Sequence, residues 1–409
     1  MMLKFLIGFL FVCTRKVIGV LMDYSKIISN KLQGMECSGI RKFFDIVNKT
    51  DGVISLGVGE PDFKTPYKIR NKVISVLKDE QIKYTSNKGN IDLLRGISKY
   101  LASRINVSYD PNHEIMATVG GSEAIDLTVR SLINPGDEVI IIEPAFVSYR
   151  PIIEMSGGNV VEIATSIEDE FRLNPKDLEN AITSKTKLLI LSFPNNPTGA
   201  IMSRSDLSKI VDIIQKTNIM VISDEIYSEL TYGQDHVSIA EFDGMKERTL
   251  IISGFSKAFS MTGWRLGYVA GPKEIISHMI KLHQYTIMCA PTISQIAAIE
   301  ALRSCDEEVN WMREEYNKRR KYVVNELKKM GLNCFEPFGA FYVFPDIRST
   351  HMSSDEFCEK LLEAEKVAVV SGRVFGKCGE GFVRVSYCCS MENLIEAMRR
   401  LRRFVKSLI

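Results

Sequence analysis

The chain has 409 residues, 45% of them hydrophobic, with 52 Lys and Arg against 50 Asp and Glu and a formal net charge of +2. That length and apolar content can bury a large core and predict two domains. Charges of both signs are mixed all along the chain and no basic run interleaves with aromatics, which describes an ordinary soluble surface and excludes a nucleic-acid footprint.

From the N-terminus, the first element is an apolar run, Phe5 to Cys13, which Arg15 and Lys16 interrupt. It is too short to span a bilayer, and no clear small-residue cleavage site follows it. Met22 then opens MDYSKII, which reads as the start of a soluble chain. Residues 1–21 are therefore expected to be a leader or start-site extension; an interfacial anchor and a weak signal peptide are the other readings. The stretch 22–62 is expected to join a smaller domain built from the C-terminal part.

Between about Pro66 and Leu266, short β-rich runs alternate with amphipathic stretches. EIMATVGG is a strand running into a glycine turn, and AIDLTVRSLI after it has apolar residues at helical spacing. DEVIIIEPAF is a buried strand ending at a proline, and KTKLLILSFPNNPTG, NIMVISDEIY and RTLIISGFSKAF repeat the form. Continuous apolar strands separated by helices predict an α/β domain whose parallel or mixed sheet is covered on both faces. After about Ile287 the chain turns helical in SQIAAIEALRSC and the charged NWMREEYNKRRKYVVNELKKMG. Alternation returns in GAFYVFPDI, VAVVSG and GFVRVSYC. The expected division is a large domain over 63–300 and a small α/β domain over 301–409. The nine cysteines form no C-x-x-C pair and no Cys/His cluster, so no metal site is expected and a reducing cytoplasm suits them.

Four of the strands end in unusual polar or glycine chemistry, and in open α/β sheets ligands bind beyond the carboxyl ends of strands. The first ends in Gly120-Gly121-Ser122 just before a helix, which offers free N–H groups and a positive dipole end to a phosphate. The same residues also suit a tight turn with a serine cap. FPNNPTG reads as a plain turn, or as a device by which Pro197 aims the Asn196 amide into a site. Asp224, directly after the apolar IMVIS, puts a carboxylate at the mouth of an apolar sheet, where an unpaired charge is costly and a cation is needed. Tyr227, three residues on, would share a helix face with it. The last of the four leads into SGFSKAFSMTGWRLGY, where Lys257 and Arg265 stand among small and aromatic residues with no acid between Glu247 and Glu274.

Together these ends supply a helix N-terminus and Arg265 for a dianionic phosphate, Asp224 for a buried cation and Lys257 as a nucleophilic amine. That combination matches pyridoxal 5′-phosphate chemistry, which uses a lysine Schiff base and an acid on the pyridinium nitrogen. Lysine suits the bond because its amine loses its proton when desolvated or set near other cations.

The motifs SLGVGEPDF, YTSNKGNIDLLRGIS, TVGGSEAI, PGDEVIIIEPAFVSY, PNNPTGA, SDEIY, SGFSKAFSMTGWRLGY, GAFYVFPDI and FVRVSY follow one another between about Asp23 and the C-terminus. In that order the chain resembles the class I/II aminotransferases of fold type I, in their archaeal and bacterial aspartate aminotransferase-like branch. The resemblance implies a three-layer α/β fold with a large mixed-sheet domain and a smaller α/β domain, and pyridoxal 5′-phosphate as cofactor. It implies that Lys257 bonds the cofactor and, once released, moves a proton between the substrate Cα and cofactor C4′, with Asp224 paired to the pyridine nitrogen. Asn196 and Tyr227 would hydrogen-bond the ring O3′, while Gly121, Ser122, Ser256 and Arg265 would hold the phosphate. Phe146 stands where the branch places a stacking aromatic; Trp or Tyr is common there, so stacking persists and a polar contact is lost. Arg384 would clamp the substrate α-carboxylate by a bidentate pair, with Gly59, Phe146 and Asn196 also against the substrate. Tyr84 would reach the phosphate of the neighbouring subunit, which implies a homodimer with shared sites. The plainer readings make Arg384 an edge-strand cation, Tyr84 and Phe146 core residues and Gly59 a turn glycine; Trp264 is assigned to packing alone.

The implied activity is a ping-pong transfer of an amino group from an L-amino acid, aspartate by the branch's usual label, to 2-oxoglutarate. A dicarboxylate needs a second cation for its distal carboxylate and no motif marks one, so aromatic, alanine-type or broad specificity stays open. A β-lyase or decarboxylase would use nearly the same residues. A non-catalytic regulator on this fold would carry an added DNA-binding domain, which the short apolar N-terminus is not. A Rossmann dehydrogenase would show G-x-G-x-x-G after an early strand. The expected partners are amino and oxo acids and a second copy of the chain, with neither nucleic acid nor membrane.

Overall fold

The computed structural model describes residues 22–35, 39 and 50–408; the apolar run Phe5–Cys13 and the rest of the expected leader lie outside them. Residues 22–35 belong to a short unit of their own. It holds a 3-10 turn, Tyr24–Lys26, started by the Asp23 carboxylate, and a single helical turn, Asn30–Gln33, started by the Ser29 hydroxyl.

From residue 50 on, the chain forms β1 (Ile54–Ser55), β2 (Ile115–Thr118), β3 (Glu138–Glu143), β4 (Asn159–Ala164), β5 (Thr186–Ser192), β6 (Met220–Asp224), β7 (Thr249–Gly254), β8 (Gly267–Ala270), β9 (Tyr342–Val343), β10 (Val367–Ala368), β11 (Val370–Ser371) and β12 (Val383–Ser386). Seven of them make one sheet in the order β2-β8-β7-β6-β5-β3-β4. Neighbours from β4 through β7 run parallel, and β8 runs antiparallel to both β7 and β2. The sheet is therefore mixed, and its inner strands are largely apolar because both faces are covered. In β7, Leu250 and Ile252 pack with Val139, Ile141, Leu188 and Ile190 under the helices Gly120–Leu132 and Lys273–Thr286. Ile251, on the other side of the pleat, packs with Ile115 and Ala117 under the helices Tyr67–Asp79, Ile91–Ile105 and Thr292–Ser304. Each such side chain contributes about 1.5–3 kcal/mol on burial.

Two strands of the seven-stranded sheet were not singled out from the sequence. β4 is the far edge of the sheet, with half its residues exposed and only Ile163 buried, and β8 hides inside WRLGYVAG. The antiparallel β8 matters to the site, because it sets the strand pair β7–β8 against the start of the helix Gly120–Leu132. Gly267 sits at that crossing; a Cβ there would lie 2.6 Å from the Gly120 carbonyl carbon.

The C-terminal part follows the expected alternation of strands and helices. β12 lies between β11 and β9 in a three-stranded antiparallel sheet, and β1 pairs parallel with β10. The charged stretch is the 24-residue helix Asp306–Lys329. Its Met312, Tyr316, Val323 and Leu327 pack with Val383 and Val385 of β12 and with Leu394, Met398 and Leu401 of the helix Met391–Leu408. One local expectation fails: after Asp224 the chain enters a turn instead of a helix, so Tyr227 does not share a helix face with Asp224. The apolar Ile226 and Leu230 of that turn are drawn toward the C-terminal core, which breaks the helical course. Among the described residues no helix is long and apolar enough to cross a membrane.

Candidate active site

The carboxyl ends of β2, β5, β6 and β7 open on one cavity of about 290 Å³, closed on its other side by residues of β9, β12 and the Gly57–Gly59 segment. Gly59, Gly121, Ser122, Phe146, Asn196 and Asp224 line it, as do Tyr227, Ser256, Lys257, Arg265 and Arg384. Every cofactor or substrate residue that the resemblance implied thus meets here except Tyr84. That side chain is 80% exposed and lies on a separate surface depression beside Thr292.

The helix Gly120–Leu132 begins at Gly120; Val119 at the cap position offers no side-chain acceptor to the first turn, and the Glu123 carboxylate accepts from the Val119 N–H. Ser122 is therefore a first-turn residue and not the cap, and the first-turn N–H groups remain available at the cavity. Gly120 has φ of 80°, and a Cβ there would stand 2.7 Å from Arg265 Nη2. Only glycine lets the guanidinium lie against this turn. Arg265 itself has φ of 51° and donates from Nη1 to the Thr262 carbonyl at 3.1 Å.

Asp224 ends β6 with 6% exposure. Its Oδ2 accepts from Tyr149 Oη at 2.6 Å and its Oδ1 from the Ile226 N–H at 3.2 Å. Burial raises its pKa, and these two hydrogen bonds work against the rise. It makes no ion pair among the described residues, so a buried carboxylate keeps capacity for a cation. In FPNNPTG the two asparagines differ. Asn195 accepts from the Thr198 N–H and hydroxyl at 3.1 and 2.8 Å and shapes the turn. Asn196 faces the cavity and accepts from Arg384 Nη1 at 2.8 Å.

Lys257 lies part-buried on the loop after β7, its Nζ donating to the Gly59 carbonyl at 2.7 Å. Burial brings its pKa down from 10.5 to about 8, Arg384 and Arg265 push the same way, and Cys388 and Glu60 oppose. An amine so placed is a usable nucleophile and proton carrier near neutral pH. Arg384 sits on the central strand β12 with 3% exposure, so it is no edge-strand surface cation. Its Nη2 donates to the Gly57 carbonyl at 2.6 Å, its Cζ lies 4.4 Å from the Tyr342 ring and 4.8 Å from the Phe375 ring, and its Nε is buried without a partner.

Tyr149 and Tyr342 line the cavity and were not singled out from the sequence. Tyr149 stands three residues after Phe146 in EPAFVSY and meets its ring edge-on at 5.6 Å. The Tyr342 hydroxyl lies 2.9 Å from that of Tyr227. A polar-tipped aromatic inside an otherwise apolar strand, as in GAFYVF, is the signal that could have marked Tyr342.

A buried carboxylate with room for a cation, an uncapped helix N-terminus beside an arginine, and a lysine of lowered pKa suit pyridoxal 5′-phosphate. Residues 51–401 match the family model described as aminotransferase class I and II. A putative aminotransferase, YugH, of Bacillus subtilis is 48% identical, covering 92% of this chain and 98% of its own length. An aspartate aminotransferase of Pyrococcus abyssi is 45% identical, covering 93% of this chain and 98% of its own. The crystal structure of an aromatic aminotransferase from Pyrococcus horikoshii superposes with a TM-score of 0.86 at 43% identity, over 90% of this chain and all of that one. Two-faced mixed sheet, strand-end cavity and sequence agree: the chain belongs to the class I and II aminotransferases, fold-type I enzymes that use pyridoxal 5′-phosphate to move an amino group between amino and oxo acids.

Proposed function

We propose that this chain carries out amino-group transfer with Lys257 as the residue that holds the cofactor covalently and moves the proton. The observation that supports it most is the Lys257 amine, its pKa brought to about 8 in a cavity it shares with Asp224, Arg265 and Arg384. When bound, the cofactor supplies an electron sink for charge developing at the substrate Cα. Asp224 holds the ring nitrogen in its protonated form, with Tyr149 orienting the carboxylate. Asn196 and Tyr227 would hydrogen-bond the ring O3′, and Phe146 would stack on the ring. Gly121, Ser122, Ser256 and Arg265 hold the phosphate by first-turn N–H groups, hydroxyls and charge. Arg384 seats the substrate α-carboxylate beside Gly59, which fixes the Cα–H against the Lys257 amine. With the cofactor bound, the amine would carry the proton between the substrate Cα and the cofactor C4′. The large domain 63–300 would carry the cofactor residues, and 301–409 the Arg384 seat.

Tyr84 faces solvent in one chain and is proposed to reach the phosphate of a neighbouring subunit in a homodimer. The cytoplasm is the proposed location, in keeping with the free thiols of Cys289, Cys305, Cys334, Cys358, Cys378, Cys388 and Cys389.

Aspartate as donor and 2-oxoglutarate as acceptor both bring a second carboxylate. The cations lining the cavity among the described residues are Lys257, Arg265 and Arg384, and each has a task. Aspartate therefore stands if a neighbouring subunit supplies a further cation. The aromatic and apolar lining by Phe146, Tyr342, Ile125 and Ile226 favours an aromatic donor as the second reading.

Borohydride treatment of the yellow holoenzyme followed by peptide mapping tests the central assignment, and should leave the cofactor fixed on Lys257. A Lys257→Ala protein that still fixes cofactor and turns over amino acids refutes it. A panel of amino donors against 2-oxoglutarate separates aspartate from aromatic specificity.

A further inference from the structure

We propose that Tyr342 is a positioning residue that ties the Arg384 guanidinium to the Tyr227 phenol, so that the seat for the substrate carboxylate and the hydroxyl facing the cofactor ring are set as one unit. The inference rests on the roles proposed above for Arg384 and Tyr227. Tyr342 pairs with Ser386 across β9 and β12. Arg384, two residues before Ser386, is thus its diagonal neighbour on the same face. The Arg384 Cζ stands 4.4 Å from the Tyr342 ring, and the Phe375 ring at 4.8 Å completes an aromatic seat for the cation. Arg384 Nη1 and Nη2 are each held, by Asn196 and by the Gly57 carbonyl. The two rings and the two hydrogen bonds therefore hold the guanidinium together.

The far end of Tyr342 does a second task. Its hydroxyl lies 2.9 Å from the Tyr227 hydroxyl, and both side chains are buried. Tyr227 has one phenolic proton. If that proton points to the cofactor ring, the Tyr227 oxygen must accept from Tyr342, so Tyr342 is the donor of the pair. A hydroxyl that accepts a hydrogen bond donates more strongly through its own proton. Gly59 leaves space for this arrangement, since a Cβ there would collide with the Tyr342 hydroxyl. The carbonyl of the same glycine receives the Lys257 amine.

The hydroxyl and the ring separate by substitution. In the holoenzyme, Tyr342→Phe should shift the pH titration of the bound cofactor's absorbance in the same direction as Tyr227→Phe, by a smaller amount, with KM changed less than about twofold. Tyr342→Leu should show that shift and also raise KM about tenfold, with kcat changed less, because the guanidinium loses one ring of its seat. Gly59→Ala should impair both properties, and Gly59→Ala with Tyr342→Phe should recover part of them because the clashing oxygen is gone. An absorbance titration unmoved in Tyr342→Phe, or moved opposite to Tyr227→Phe, overturns the inference. So does a Tyr342→Leu protein whose KM is unchanged while Arg384→Ala raises KM, or a double variant no better than Gly59→Ala alone. If Arg384→Ala leaves KM unchanged, or Tyr227→Phe leaves the titration unmoved, the proposed roles themselves fail and the inference falls with them.

Discussion

Replacing Lys257 by Met asks how the cavity treats the amine before any cofactor is bound. Burial, with Arg384 and Arg265 adding to it, brings the pKa from 10.5 to about 8. The folded value lies below the unfolded one, so between pH 8 and 10.5 the unfolded chain holds a proton that the folded chain has released. Folding is opposed by the full difference below pH 8, and the opposition fades as the pH rises toward 10.5. A difference of about 2.5 units at about 1.36 kcal/mol each corresponds to roughly 3 kcal/mol. Solvent that reaches the part-buried amine reduces this to about 2 kcal/mol. Met keeps the volume of the stem but removes the bond to the Gly59 carbonyl, a loss of about 1 kcal/mol. The cofactor-free Lys257→Met protein should therefore be more stable than its cofactor-free parent by about 1 kcal/mol at neutral pH, a rise of ~1–2 °C in melting temperature for a unit of this size. Near pH 10.5 the gain should be gone. Matched calorimetric scans of the two apoproteins at one scan rate, at neutral and high pH, read the difference directly. A variant less stable than its parent at neutral pH, or a gain that does not shrink as the pH rises, refutes the placement of a destabilised amine in this cavity.

The same amine should make cofactor uptake by the apoprotein pH-dependent: the rate rises about tenfold per pH unit while the amine is mostly protonated, then levels near pH 8. A rise that continues to pH 10 contradicts it. Gly120→Ala places a Cβ 2.7 Å from Arg265 Nη2 at a φ of 80°; cofactor affinity, measured by equilibrium titration, should fall about tenfold while the sheet remains folded by circular dichroism. Asp224→Asn removes the charge but keeps the shape and the Tyr149 partner. Steady-state kinetics should show kcat reduced by about a hundredfold or more with cofactor still bound, and a variant within a few fold of the parent rules out the charge as the functional feature.

Lys257, Asp224, Asn196, Arg265 and the Gly120–Ser122 turn were legible because each is a local departure from the pattern around it, a charge, amide or glycine pair at the end of an apolar strand. A strand end needs no knowledge of its neighbours to be recognised, and the general rule for open sheets then brings such ends together. Arg384 was legible only through its motif, since a cation in a four-residue strand looks the same at an edge as at the centre; its burial follows from β12 being flanked by β11 and β9. Tyr149 and Tyr342 were passed over because an aromatic in an apolar stretch is ordinarily core. Their distinction lies in a hydrogen-bond partner 75 residues away for Tyr149 and 115 for Tyr342. The expectation of a helix after Asp224 failed for a related reason, since residue spacing alone cannot say that Ile226 and Leu230 are drawn into a core shared with β12.

By itself, then, the sequence determined the class of fold, the chemistry of the strand ends and the position of Lys257 at one of them, because period, residue type and chain punctuation are short-range properties. Only the tertiary structure decided that β8 runs antiparallel against Gly120, that Arg384 lies against the Tyr342 and Phe375 rings, and that Tyr342 reaches Tyr227. Those outcomes depend on register between strands far apart in the chain, and register is set when many side chains pack at once.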